Sequence, residues 1–384
     1  MKIPNDQLNQ IIALRKDLHK NPELSGVEIE TAKKIKAFLK LCSADEIIED
    51  VGGHGLIAIY ESRIPGKSIL LRADMDALPI PEINDFEHHS VNAFVSHKCG
   101  HDGHLVILAG VAQQLRSNPP EKGRVILLFQ PAEETGEGAV TVINDSKFKD
   151  LQIDFVFALH NLPGFRKNSI IIRKQHFAAA SKGMIIKLSG KTSHAANPEQ
   201  GISPALAISE IISKFSGLSN AREGFDAFKL ITIIHARLGE RAFGTSPGYA
   251  EVMATLRSYS NDDMELLTNK AINIVEQIAD KYGLHEKIEW TEQFPASVND
   301  DECVDLVRTV AVENKFPVRE MAEPFRWSED FGQFLSRHPG ALFGVGAGKN
   351  HPSLHNPDYD FPDEIIKTGI AMFYGIIKKV GEME

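Results

Sequence analysis

One glycine separates a cysteine from a histidine in the hexapeptide Cys99-Gly-His-Asp-Gly-His104. That spacing lets both side chains point at one ion just before a helix begins. A thiolate is a soft donor, and imidazole suits zinc and its neighbours. A turn with an inert thiol and helix-capping histidines fits the same letters, so the hexapeptide alone leaves both readings open. The second group is Phe129-Gln-Pro-Ala-Glu-Glu134. Here a proline after an apolar run places two carboxylates at the C-terminal edge of a strand, where α/β proteins hold ligands. One carboxylate can neutralise a metal while its neighbour takes a proton from water. An ordinary helix start also favours acids, and the pair alone supports that reading equally.

His160 ends another apolar run, and His355 lies in the turn-like Leu354-His-Asn-Pro357. Each by itself also fits a structural role. Asp74 and Asp76, in Arg72-Ala-Asp-Met-Asp-Ala-Leu-Pro79, are candidates to orient a ligating histidine, a support that metal sites normally require. Together these residues distribute Cys, His and Glu donors over several strand ends. There is no GxGxxG fingerprint, GxxxxGK[ST] loop, GxSxG elbow or HExxH helix, which removes the common competitors.

The elements that must carry these residues follow from periodicity. Helical patterns span residues 8–20 and 29–41, with a turn at Asn21-Pro22, and a third helix starts near His101. The short apolar runs 55–60, 68–72, 125–129 and 155–159 predict buried strands. Strands alternating with helices imply an α/β sheet layered between helices. From about residue 180 the order becomes strand (184–188), helix from Ser203-Pro204, strands 230–236 and 250–256, helix 261–282 and strand 286–290. That β-α-β-β-α-β order is ferredoxin-like. A helix near 301–314, an apolar run 341–345 and a closing helix from Asp363 restore the α/β pattern. The expected organisation is therefore a discontinuous catalytic domain, 1–179 and 292–384, with an inserted domain at 180–291.

Composition limits the partners. The chain has 384 residues, a formal net charge of -10, 42% apolar and 24% charged residues. Two domains are the natural expectation at this length, and an acidic surface disfavours nucleic acid. The first twenty residues read as an amphipathic helix and not as a secretory signal. No stretch reaches the roughly 20 apolar residues of a membrane span, and the expected location is cytoplasmic. The three cysteines, Cys42, Cys99 and Cys303, are far apart, so no disulfide framework is expected. Cys42 reads as a small buried residue.

With these residues in place, the sequence resembles the M20 metallopeptidases, in particular their aminoacylase-like branch of hippurate hydrolases, auxin-conjugate hydrolases and N-acetyl-diaminopimelate deacetylases. The landmarks are Leu18-His-Lys-Asn-Pro-Glu-Leu24, Leu71 to Ile80, Cys99 to His104, Phe129 to Glu134, Ser193-His-Ala-Ala-Asn-Pro198, Glu329-Asp-Phe331 and Leu354-His355. The resemblance covers nearly the whole chain. It implies that Cys99, His101, Glu134, His160 and His355 hold two divalent ions. Zinc, manganese, cobalt and nickel all suit such donors. It further implies Glu133 as general base, Asp76 as a supporting carboxylate and the insert as a lid or dimerisation domain. His194 matches the histidine that faces substrate in the closed state, often across a homodimer interface. Arg257 matches the arginine of the family's Gly-Thr-Ile-Arg segment and is a candidate for a substrate carboxylate. The chain departs from the pattern at Ser96, where relatives have methionine, at Glu199, where they have histidine, and at 241–247, where the usual Asn-x-Ile-Pro is missing.

The implied reaction is hydrolysis of N-acyl amino acids by metal-activated water. Dipeptidase or aminopeptidase action on short peptides is the near alternative, and a catalytically silent metal-binding protein the more distant one.

Overall fold

Short apolar runs broken by glycine and proline become the inner strands of an eight-stranded sheet. In chain order the eight strands are β1 (Glu46–Val51), β2 (Gly55–Glu61), β3 (Ser68–Asp74), β4 (Arg124–Gln130), β5 (Phe155–Pro163), β6 (Ile170–Ile172), β7 (Val318–Glu320) and β8 (Gly340–Gly348). A computed structural model describes residues 3–220 and 224–383. Across the sheet the order is β1-β2-β4-β3-β5-β8-β6-β7. β3 runs parallel to β4 and β5, and β5 parallel to β8. β1–β2, β2–β4 and β8–β6 are antiparallel pairs.

All of β3 is buried, as is all of β4 after its first residue. A strand covered on both faces reads as a continuous apolar run, not as an alternation. The helices α1 (Asn5–Lys20), α2 (Ile29–Lys40), α3 (His101–Ser117), α4 (Asp301–Glu313) and α5 (Ile366–Gly381) share one core with alternate strand residues such as Ile69, Leu71, Leu127 and Phe157. Parallel pairing aligns strand ends: Asp74 lies opposite Gln130, and Arg72 opposite Ala158. The residues that follow Asp74 and Gln130, and His160 near the end of β5, therefore emerge along one edge.

Two compact units divide the chain. The first comprises Met1–Phe177, Ser297–Pro324 and Asp330–Glu384; the second comprises Ala178–Ala296 and Phe325–Glu329. The second unit has an antiparallel sheet of Lys229–Leu238, Tyr249–Ser258, Ala180–Ser189 and His285–Phe294, in that spatial order, with helices Ala205–Asn220 and Asn261–Tyr282. Its chain order is the ferredoxin-like β-α-β-β-α-β. Burial alternates along Tyr249–Ser258, as expected of a sheet with one covered face. Ser260 caps the longer helix by accepting from the Asp263 amide at 3.0 Å.

Several details lie outside the sequence reading. Phe325–Glu329 groups with the insert because the Ala179 amide donates to the Phe325 and Trp327 carbonyls, both at 3.0 Å. Segment 191–197 contains the two-residue strand Ser193–His194, paired with Thr245–Ser246. Among the described residues no helix is long and apolar enough to cross a membrane.

Candidate metal centre

The Cys99–His104 segment is shaped by its two glycines. Gly100 adopts a φ of 89° and caps α3, and a Cβ there would sit 2.5 Å from Asn161 Oδ1. A Cβ on Gly103 would meet the Phe361 ring at 2.2 Å. Both positions therefore exclude a side chain, and the resulting close packing seats Cys99 and His101 at the buried start of α3. The Glu133–Glu134 pair sits in a tight turn after β4. Ala132 holds a φ of 53°, with its carbonyl accepting from the Gly138 amide at 2.9 Å. The next helix begins only at Gly138, so these carboxylates do not belong to an ordinary helix start.

Two donor sets meet at Cys99. One is Cys99, His101 and His160; the other is Cys99, Glu134 and His355, and within each the donor atoms lie within 4.8 Å of one another. His101 Nε2 is 3.7 Å from Glu134 Oε1, and His355 Nε2 is 3.8 Å from Glu134 Oε2. His160 Nε2 lies 3.5 Å from Cys99 Sγ. His101 Nε2 and Glu134 Oε1 are buried, and neither has a hydrogen-bond partner among the described residues. Buried polar atoms are rarely left unpaired, and here both point into a cluster of soft and hard donors. The residues present fit a pair of divalent ions.

Neighbouring groups orient these donors. His101 Nδ1 faces the Asp76 carbonyl at 2.9 Å and its carboxylate at 3.2 Å, which turns Nε2 inward. Asp76 Oδ2 in turn accepts from Ser25 Oγ at 2.7 Å and the Glu134 amide at 2.9 Å. His160 Nδ1 donates to the Asn161 carbonyl at 2.9 Å. His104, the hexapeptide's last residue, uses both nitrogens structurally: Nε2 accepts from the Asn161 amide at 3.2 Å and Nδ1 donates to Asp74 at 2.6 Å. It is a support for β3 and β5.

Electrostatics at the cluster suit a cation. Burial lifts the Glu134 carboxyl to about 8, against the pull of His101 and with the push of Asp76. Burial lowers the His101 pKa, but Asp74, Asp76 and Glu134 outweigh it and raise the ring to about 10. Burial drives His160 well below its usual value, leaving it the neutral imidazole a metal requires.

Glu133 stands beside both sets, 5% exposed. Its Oε2 is 3.9 Å from His101 Nε2, and its Oε1 accepts from the Asp330 amide at 3.4 Å. Asp330 belongs to a buried polar group that the sequence reading did not assign. Arg72 bonds Asp74 and Asp330, both at 2.6 Å, while Gln130 bonds Asp330 at 2.7 Å. The available signal was a charged residue, Arg72, inside an apolar strand.

The structure thus brings together Asp76, Cys99, His101, Glu133, Glu134, His160 and His355 in the first unit. His194 and Arg257 belong to the inserted unit. His194 is exposed, and its Nδ1 accepts from the Ala196 amide at 3.0 Å. Arg257 Nη1 donates to the Arg326 carbonyl and to Ser328 Oγ, each at 2.9 Å.

A carboxylate held next to two overlapping donor sets at the edge of a layered α/β sheet marks the chain as a metal-dependent hydrolase. Comparison with known proteins gives the lineage. The profile of peptidase family M20/M25/M40 matches residues 70–379, and the chain belongs to that family. It is 30% identical over 375 residues to N-acetyl-L-cysteine deacetylase of Bacillus subtilis (strain 168), covering 97% of this chain and 88% of that protein. It is 31% identical over 362 residues to hippurate hydrolase of Campylobacter jejuni, covering 94% of each. Among solved structures, a dinuclear metal binding peptidase of the M20 family from B. subtilis aligns with a TM-score of 0.82 at 26% identity, over 99% of this chain and 100% of that one.

Proposed function

We propose that this protein hydrolyses the amide bond of N-acyl amino acids and belongs to the aminoacylase-like branch of its family. Cys99, His101 and His160 would hold one divalent ion, and Cys99, Glu134 and His355 a second. When bound, such ions polarise a carbonyl and acidify water. Glu133 takes the proton of the attacking water and returns it to the departing amine. Asp76 keeps His101 oriented, His194 donates to the carbonyl oxygen, and Arg257 meets the substrate carboxylate. Zinc, manganese, cobalt and nickel all suit the mixed donors. A homodimer formed through the insert and a cytoplasmic location complete the reading.

The observation that carries it is the position of Glu133, whose carboxylate lies within 4.8 Å of the His101 and Glu134 donor atoms but outside the two sets that share Cys99. The substrate class is supported by the Bacillus relative, whose name is that of an enzyme acting on an N-acetylated amino acid.

The test is release of amine from a panel of N-acyl amino acids and dipeptides by metal-free protein reconstituted separately with each of the four ions. Faster cleavage of acyl amino acids is expected. Dipeptides cleaved far faster would make the protein a peptidase. An intact panel with every ion would leave a silent metal-binding protein.

A further inference from the structure

Lys98 is an unusual residue to find at the foot of a ligand cluster. Its side chain is fully buried, a placement lysine almost never adopts without a partner. Its Nζ pairs with the Glu82 carboxylate and donates to the Tyr359 carbonyl at 2.7 Å. Its own backbone carbonyl accepts from the His355 amide at 2.8 Å. One residue therefore grips the 355–359 segment at both ends, while its neighbour in the chain is Cys99.

His355 needs such a grip. It has a φ of 65°, a left-handed conformation that side chains other than glycine hold only when the surroundings enforce it. Its side chain is 52% exposed, so packing does not enforce it. Glu82, the anchor for Lys98 Nζ, is itself fixed by the Ser90 amide at 2.7 Å and by His19 Nε2 at 3.0 Å. Tyr359 is held independently, since Asn161 Nδ2 donates to its hydroxyl at 2.6 Å. The chain of contacts runs from helix α1 through Glu82 and Lys98 to the His355 turn.

We propose that Lys98 is a positioning residue that sets His355 against Cys99 and thereby fixes the Cys99–Glu134–His355 half of the metal centre; this rests on the reading of His355 as a ligand. The contrast with the other half is built in. His101 and His160 are buried and oriented by Asp76 and the Asn161 carbonyl.

The experiment is calorimetric titration of the metal-free, full-length protein with Co²⁺ alone, comparing wild type, H355A, Lys98→Met (K98M) and the double variant. H355A is expected to lose tight binding of one ion of two. K98M is expected to weaken the same ion by ~10-fold or more, the scale seen when a residue orienting a ligand is removed, with the other ion unchanged. Because Lys98 acts through His355, K98M in the H355A background is expected to add nothing. If K98M is unfolded by circular dichroism, K98M/E82Q, which also neutralises the abandoned carboxylate, carries the same expectations. Wild-type affinity in K98M, equal weakening of both ions, additive losses in the double variant, or failure of both Lys98 variants to fold each overturns the proposal. Retention of both ions by H355A instead overturns the reading of His355 as a ligand, and so separates the two failures.

Discussion

Glu133 and Glu134 are neighbours in the chain but differ in what they touch. Glu134 Oε1 faces His101 Nε2 at 3.7 Å inside the donor cluster, and its amide ties down Asp76 at 2.9 Å. Glu133 also approaches His101 Nε2, at 3.9 Å, but its other oxygen accepts from the Asp330 amide at 3.4 Å, and the two sets that share Cys99 do not include it. Glutamine has nearly the shape of glutamate and cannot take a proton. Glu133→Gln is therefore expected to lower kcat by about 100-fold or more, within the range for loss of a general base, with metal content by elemental analysis unchanged. Lost metal would make Glu133 a ligand, and undiminished kcat would end its role as base. Glu134→Ala and His160→Ala are expected to lose metal as well as activity, because water does not replace a charged or imidazole donor at equal affinity. If both hold their ions as tightly as wild type, the donor sets are drawn wrongly. At this scale the sequence was legible only in part: read singly, His160, His355 and the Glu133–Glu134 pair fitted structural roles as well, and the family resemblance alone joined them to Cys99 and His101, whose side chains the fold brings near theirs. The role of His104 was not legible. Only the fold shows that Asp74 and the Asn161 amide occupy both of its nitrogens.

At the scale of elements, apolar content decided what could be read. β3, β4 and β5 announce themselves because they are buried on both faces. β1 (Glu-Ile-Ile-Glu-Asp-Val) is mostly uncovered, carries three acids and gives no such signal, while β6 and β7 are three residues each. Helix α1 hides its most informative feature in plain view. Its buried residues are Ile11, Arg15, Leu18 and His19, so two polar residues lie on the stripe that faces the core. Arg15 and His19 both bond Asp102 at 2.9 Å, between the proposed ligand His101 and the support His104. Burial lowers the His19 pKa, but its contacts with Asp102 and Glu82 overcome this and raise it from 6.5 to about 9. A histidine whose folded pKa exceeds its unfolded value contributes stability that is complete below the unfolded value and vanishes as pH rises through the folded one. Metal-free wild-type protein is therefore expected to lose stability to denaturant between pH 6.5 and about 9, and His19→Gln to show a flatter profile across that window. Equal slopes for the two proteins would mean that His19 is not charged in the fold.

At the scale of the whole molecule, the proposed chemistry is divided between two units. The first holds every proposed metal donor and Glu133. The second, with its own apolar core, carries His194. Because His194 Nδ1 accepts from the Ala196 amide, the neutral ring carries its proton on Nε2 and presents an N–H donor. That is the tautomer needed to stabilise a developing oxyanion, and the exposure of the ring leaves it available. His194→Ala is accordingly expected to lower kcat while metal content stays at the wild-type level. Donors of this kind contribute roughly 3–4 kcal/mol, or about 10²- to 10³-fold in rate. If the protein is a homodimer that shares this residue across subunits, the parents can rescue each other. Mixing His194→Ala with Glu133→Gln creates hybrids in which one site combines an intact Glu133 with the partner's intact His194. Activity per hybrid dimer is then expected to return toward half that of wild type. Absence of recovery after subunit exchange has been verified by mass spectrometry would confine His194 to its own subunit, and full activity of His194→Ala alone would leave it a surface histidine.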